Sequence, residues 1–97
     1  MMAIQIQYDG GVYEIEGLLN SQNCESLKIH IETLIDHSRG IVLSLNKVLD
    51  IDCNSVNIIA SLQKTAHLRD KMFFIIGIKN KKVNALFTAL NLNNILL

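Results

Sequence analysis

The chain has 97 residues, room for one domain and one modest core. Apolar residues make up 49%, and nine Lys and Arg balance nine Asp and Glu, so the formal net charge is zero. That balance gives no electrostatic case for a nucleic acid or an anionic membrane as partner. A near-neutral, rather apolar small domain is a candidate for self-association, as a homodimer, or for a standing protein partner.

At the N-terminus, Met1 to Gln5 has no basic segment followed by an apolar core, so no signal peptide is expected. No stretch approaches the roughly 18 apolar residues of a membrane span. Two cysteines, Cys24 and Cys53, fit no metal or redox spacing. They are expected as reduced thiols in a reducing, cytoplasmic compartment.

Ile4, Ile6 and Tyr8 alternate with Gln5 and Gln7, as in a half-buried strand. Asp9-Gly10-Gly11 predicts a hairpin turn, and Val12 to Gly17 alternates again, with Tyr13 and Ile15 facing one way and Glu14 and Glu16 the other. Asn20-Ser21 offers a helix N-cap. From Gln22 to His37 an apolar stripe of Cys24, Leu27, Ile31, Leu34 and Ile35 predicts a helix, closed by Arg39-Gly40 with glycine in a left-handed cap. Ile41 to Leu45 is a short apolar run, read as a doubly buried strand, followed by a loop from Asn46 to Cys53.

Asn54 or Ser55 can cap the next helix, which reaches about His67. Its inner face is expected at Val56, Ile59, Ala60, Gln63 and Ala66, with a second, weaker stripe at Ile58, Leu62 and Thr65. Asp70-Lys71 makes a turn, Met72 to Ile78 a buried strand, and Asn80 caps a third helix carrying Val83, Leu86, Phe87 and Leu90. Leu92 and Ile95 to Leu97 close the chain against something apolar. The order is β-β-α-β-α-β-α. Strands linked through helices call for parallel pairing, and the opening hairpin makes the sheet mixed. No linker or repeat interrupts the chain, which predicts one α/β domain over residues 1–97.

Four segments in order resemble the STAS family of anti-sigma-factor antagonists. Gly17-Leu18-Leu19-Asn20 is similar to its Gly-x-Leu-Asp turn, and Gly40 to Leu45 to its Gly-x-Val-Leu-Asp-Leu strand. Val48 to Ser55 resembles the hallmark Val-x-x-Ile-Asp-Ser-Ser-Gly, and Val83 to Leu92 the closing Val-x-x-Leu-x-x-x-Gly-Leu. The resemblance implies a mixed sheet of four to five strands with helices (a SpoIIAA-like fold). It also implies a regulatory role: the domain binds a kinase-type anti-sigma factor, and that kinase phosphorylates the second serine of the hallmark. A phosphate there would sit at a helix N-terminus, where free N–H groups and the macrodipole favour an anion, yet it would disrupt a packed interface.

The sequence departs from this pattern at the switch itself. Asn54 stands at the acceptor position, Cys53 replaces the serine before it, and Ser55 replaces the glycine. Asn20 and Ser44 replace two aspartates, and only Asp52 is retained. Ser55 is a shifted phosphoacceptor candidate or, with Asn54, a plain N-cap. Asp52 either ties down loop N–H groups or touches a partner. Cys53, with no cationic neighbour to lower its pKa, is expected as an inert, half-buried thiol.

The docking surface is expected at Asn46, Asp50, Asp52, Cys53, Asn54, Ser55, Ile58 and Leu62. His30, His37 and His67 make no metal site, and His37 suits a helix C-terminus. No cofactor is implied, and no nucleophile–base pair or phosphate loop points to an enzyme. The alternative is a non-phosphorylated scaffold in a larger assembly, such as a lipid-transport ABC complex or a signalling particle. The missing acceptor and the second apolar stripe favour it.

Overall fold

The computed structural model describes residues 4–97; the segment Met1 to Ala3, on which part of the signal-peptide reading falls, lies outside the described residues. The elements are β1 (Gln5–Asp9), β2 (Val12–Leu19), α1 (Cys24–Asp36), β3 (Gly40–Ile51), α2 (Cys53–Leu68), β4 (Met72–Ile76) and α3 (Lys81–Ala89), then a 3-10 turn at Asn93–Ile95. The four strands lie in the order β1-β2-β3-β4. β1 and β2 are antiparallel, while β3 runs parallel to both β2 and β4. This is the expected mixed sheet, with four strands.

The hairpin follows from two glycines. Gly10 and Gly11 have φ of 58° and 88°, the paired positive values that a two-residue primed turn requires. The register then puts Ile6, Ile15, Leu43, Phe73 and Ile75 on one face. Of these, Ile15, Leu43, Phe73 and Ile75 are fully buried with Leu27, Ile31, Ile59, Val83 and Phe87 of the helices. α1 packs on α2, α2 lies across β3 and β4, and α3 rests on β3. Each such aliphatic or aromatic side chain removed from water contributes about 1.5–3 kcal/mol.

Several boundaries move. β3 does not stop at Leu45 but runs twelve residues to Ile51, absorbing most of the expected loop. It does so through two irregularities: three residues of β3 span the two-residue step Glu14 to Glu16, and two span Gly17 to Leu18. Such bulges bend a strand and re-aim the side chains beyond them. Asn80 holds the first bulge, its Nδ2 donating to the carbonyls of Leu45, Asn46 and Val48 at 2.8–3.3 Å. Its Oδ1 caps α3 by accepting from Val83 N, as the sequence predicts.

Gly40 does not form a left-handed cap. α1 ends at Asp36 with His37 as C-cap, and Gly40 opens β3 against Met72, whose Cβ would stand 3.0 Å from an added Cβ. Asn20 does not cap α1 directly either. Its Oδ1 accepts from Gln22 N and Asn23 N in the turn before the helix, and Asn23 is the N-cap residue.

Candidate functional site

The parallel strands β2 and β3 end side by side, with Leu19 opposite Ile51. Asp52 N donates to Leu19 O at 3.1 Å, so the chain leaves β3 already fixed to the end of β2. Asp52, not Asn54 or Ser55, is the N-cap of α2, in extended conformation with φ −106°. The helix therefore begins two to three residues earlier than expected.

Both carboxylate oxygens of Asp52 are engaged. Oδ1 accepts from Ser55 N at 2.8 Å and from Ser55 Oγ at 2.7 Å. Oδ2 accepts from Ser21 N at 3.0 Å and from Ser21 Oγ at 3.2 Å. One side chain thus joins the start of α2 to the turn between β2 and α1. Burial acts to raise its pKa, but the hydrogen bonds from Ser55 and Ser21 outweigh it and hold the carboxyl below its ordinary value. Ser21 is the partner that the sequence does not announce: thirty-one positions separate it from Asp52, and a serine in a turn is commonplace.

The helix phase decides which expected site residues face outward. Ser55 is 0% exposed, its hydroxyl donating to Asp52 Oδ1, so the structure does not present at the surface the group that a kinase or a docking partner would have to reach. Leu62 is 1% exposed and belongs to the core beside Val56, Ile59 and Ala66. Leu62 stands three positions after Ile59 and four before Ala66, so it shares their inward face instead of the outer stripe expected for it. Ile58 is half-buried and remains on the outer side.

Cys53 is exposed, contrary to the half-buried expectation, while Cys24 is buried; both are free thiols. Asn54 is exposed too, with Nδ2 leaning 3.7 Å from Cys24 Sγ. Asp50 is exposed and accepts from the N–H of Ile51. Asn46 is exposed at the first bulge, beside Asn80 rather than at the start of α2. Leu49, which the sequence pattern does not single out, is 57% exposed next to Asp50, at the second bulge.

The surface at the head of α2 therefore comprises Leu49, Asp50, Cys53, Asn54 and Ile58, around the tied-down Asp52. A shallow cavity of about 140 Å³ adjoins it, lined by Leu18, Leu19, Asn20, Asp50, Ile51 and Asp52. It lies at the carboxyl ends of two parallel strands, where α/β sheets commonly present their sites. Among the described residues no group of three His, Cys, Asp or Glu could hold a metal ion, and no helix is long and apolar enough to cross a membrane.

Solved structures share this fold. The anti-sigma factor antagonist SpoIIAA in its unphosphorylated form superposes with a TM-score of 0.77 at 15% identity, covering 98% of this chain and 86% of that one. The phosphorylated form of the Bacillus cell fate determinant SpoIIAA gives 0.69 at 14% identity, covering 98% and 89%. An anti-sigma factor antagonist from Mycobacterium paratuberculosis gives 0.67 at 17% identity, covering 92% and 79%. No curated protein matches the sequence. At these identities the likeness establishes the architecture. The family rests on the sequence itself: the STAS domain profile matches residues 1–96, and the chain belongs to the STAS domain family.

Proposed function

We propose that residues 1–97 act as one regulatory interaction domain, of the anti-sigma-factor-antagonist kind, that docks a kinase-type anti-sigma protein without being phosphorylated at the head of α2. The observation that carries this reading is the pair Asn54 and Ser55. The exposed position at the head of α2 holds an amide, which accepts no phosphate, and the neighbouring hydroxyl is buried against Asp52. The docking face is Leu49, Asp50, Cys53, Asn54 and Ile58, with Asp52 holding it in shape. Binding rather than catalysis is its work, and two free thiols suit a reducing, cytoplasmic setting.

The scaffold reading draws on the same observation. A domain with no reachable acceptor at its switch position suits a constant structural subunit as well as a regulated antagonist. The two separate on a partner.

The test mixes the purified chain with the kinase-type anti-sigma protein of its own cell and ATP. Calorimetry follows the complex and intact mass follows phosphate. The expected result is a complex with no added phosphate, lost on Ile58→Asp or Leu49→Asp with the circular dichroism unchanged. Phosphate on Ser55 would overturn the claim that the head of α2 is not phosphorylated, and no complex at all would overturn the antagonist reading. Asp52→Lys is a poor probe, because it removes the N-cap of α2 as well as a surface charge.

A further inference from the structure

The zero net charge conceals a segregation. All nine carboxylate side chains lie at or before Asp70, whereas residues 71–97 carry Lys71, Lys79, Lys81 and Lys82 and no acidic side chain. Lys71 is used in the fold, its Nζ donating to Ser38 O at 2.6 Å. Lys79, Lys81 and Lys82 are exposed and enter no ion pair among the described residues. Glu14 and Glu16, by contrast, already share Lys47.

These three cations crowd the start of α3, whose first turn holds no acidic residue. Positive charge is unfavourable at that end of a helix, so their placement opposes the stability of the helix they begin. Lys79 lines an apolar groove of about 220 Å³ together with Asn46, Ile76, Ile78 and Leu97, and Lys81 and Lys82 follow it in the chain at the start of α3. Ile78 is 50% and Leu97 57% exposed. The groove is also held in shape. Gly77 N and Ile78 N both donate to Leu97 O, and Asn80 pins Asn46 to the head of α3.

An apolar floor that is part-exposed, with one unpaired lysine in its lining and two more at the helix start that follows, is complementary to one kind of occupant. We propose that this groove docks an acidic protein segment that inserts an apolar side chain between Ile78 and Leu97 and lays its carboxylates on Lys79, Lys81 and Lys82. The surface is distinct from the head of α2, and the proposal stands whether or not a kinase binds there. Little ordering is needed on this side, because the rim and floor are pre-set by backbone hydrogen bonds.

The probe is a labelled peptide of about twelve residues, glutamates with two leucines four apart, titrated against the full chain by fluorescence anisotropy. Expected is saturable binding that weakens about tenfold or more from low to high salt, and likewise when the glutamates become glutamines or the leucines serines. Lys81→Glu with Lys82→Glu should abolish binding while keeping or raising the melting temperature, since acids suit a helix start. Ile78→Asp should abolish it too, and Ile58→Asp should leave it unchanged. Equal binding by the lysine variant, or no binding by the native chain, overturns the proposal. So does binding of anionic phospholipid vesicles without the peptide, or a concentration-dependent dimer that Ile78→Asp dissolves while the peptide stays unbound.

Discussion

Replacing Asp52 by alanine should cost this small domain a large part of its stability. The substitution removes the N-cap of α2, worth about 1 kcal/mol in typical helices. It also leaves Ser55 Oγ, fully buried and bonded only to Asp52, without a partner; an orphaned buried hydroxyl costs about 1–3 kcal/mol. The links to Ser21 N and Oγ are lost as well, but they are exposed and water replaces them. The expected loss is roughly 2–4 kcal/mol, against the 5–15 kcal/mol typical of a folded domain. Urea unfolding reads this directly: with a slope of about 1–2 kcal/mol/M, the midpoint falls by roughly 1–4 M at unchanged slope. Ser55→Ala supplies the control. In that background no hydroxyl is orphaned, so Asp52→Ala should cost less by about 1 kcal/mol or more, a coupling that a double-mutant cycle isolates. A loss below about 0.5 kcal/mol, or strict additivity of the two changes, would refute the account of Asp52 as the clamp.

The same carboxylate makes stability depend on pH. Its folded pKa lies below the ordinary value of 3.8, so its contribution is complete above that value and fades as the pH falls through the folded pKa. The stability gap between native protein and Asp52→Asn, from urea curves, should be flat near neutrality and narrow below about pH 4. Asn80→Ala should cost roughly 2–3 kcal/mol through the lost cap and the released carbonyls of the β3 bulge, with faster hydrogen exchange around Lys47 as its local sign. Cys53 should react with a thiol reagent in the native state at the rate of an open thiol, and Cys24 only on unfolding; two equally fast thiols would contradict the placement of α1.

Much of the fold is legible because its signals are periodic. Alternation at Ile6, Tyr8, Tyr13 and Ile15 sets the hairpin faces, and Gly10-Gly11 sets its turn. The steps from Leu27 to Ile31 to Ile35 set the buried side of α1. What the sequence hides is where regularity is locally suspended. After Leu45 the polar pair Asn46-Lys47 looks like a loop, because a bulge spoils the alternation while the strand continues to Ile51. The stabilising partner, Asn80, sits thirty-four residues from Asn46, and no local propensity reports such a contact. Gly40 misleads in the opposite way: a glycine after a helix suggests a left-handed cap, yet here it is small so that β3 can lie close to Met72.

Two features of the candidate site are hidden from the sequence: which residue caps α2, and which side of the helix Leu62 takes. Three polar residues, Asp52, Asn54 and Ser55, with Cys53 among them, can each begin a helix. A cap at Asn54 or Ser55 would place Ser55 at the lip of the helix. With Asp52 as the cap, Ser55 is the third helical residue, bonded back to its cap; Leu62 lies inside because it stands three after Ile59 and four before Ala66, a spacing that no cap alters. Asp52 wins because it also accepts from Ser21 across the β2–α1 turn, a tertiary gain that neither rival cap can make. The aspartate that this chain shares with the resembled pattern thus has a structural task of its own, joining Ser21 to Ser55. Replacing the exposed Asn54 by serine is then the decisive restoration. If the head of α2 still fits a kinase, Asn54→Ser should gain one phosphate in the partner's presence, read by intact mass and absent on Asn54→Ala. Phosphate failing to appear, with the complex intact, would show that the docking geometry itself has departed from that of a switchable antagonist.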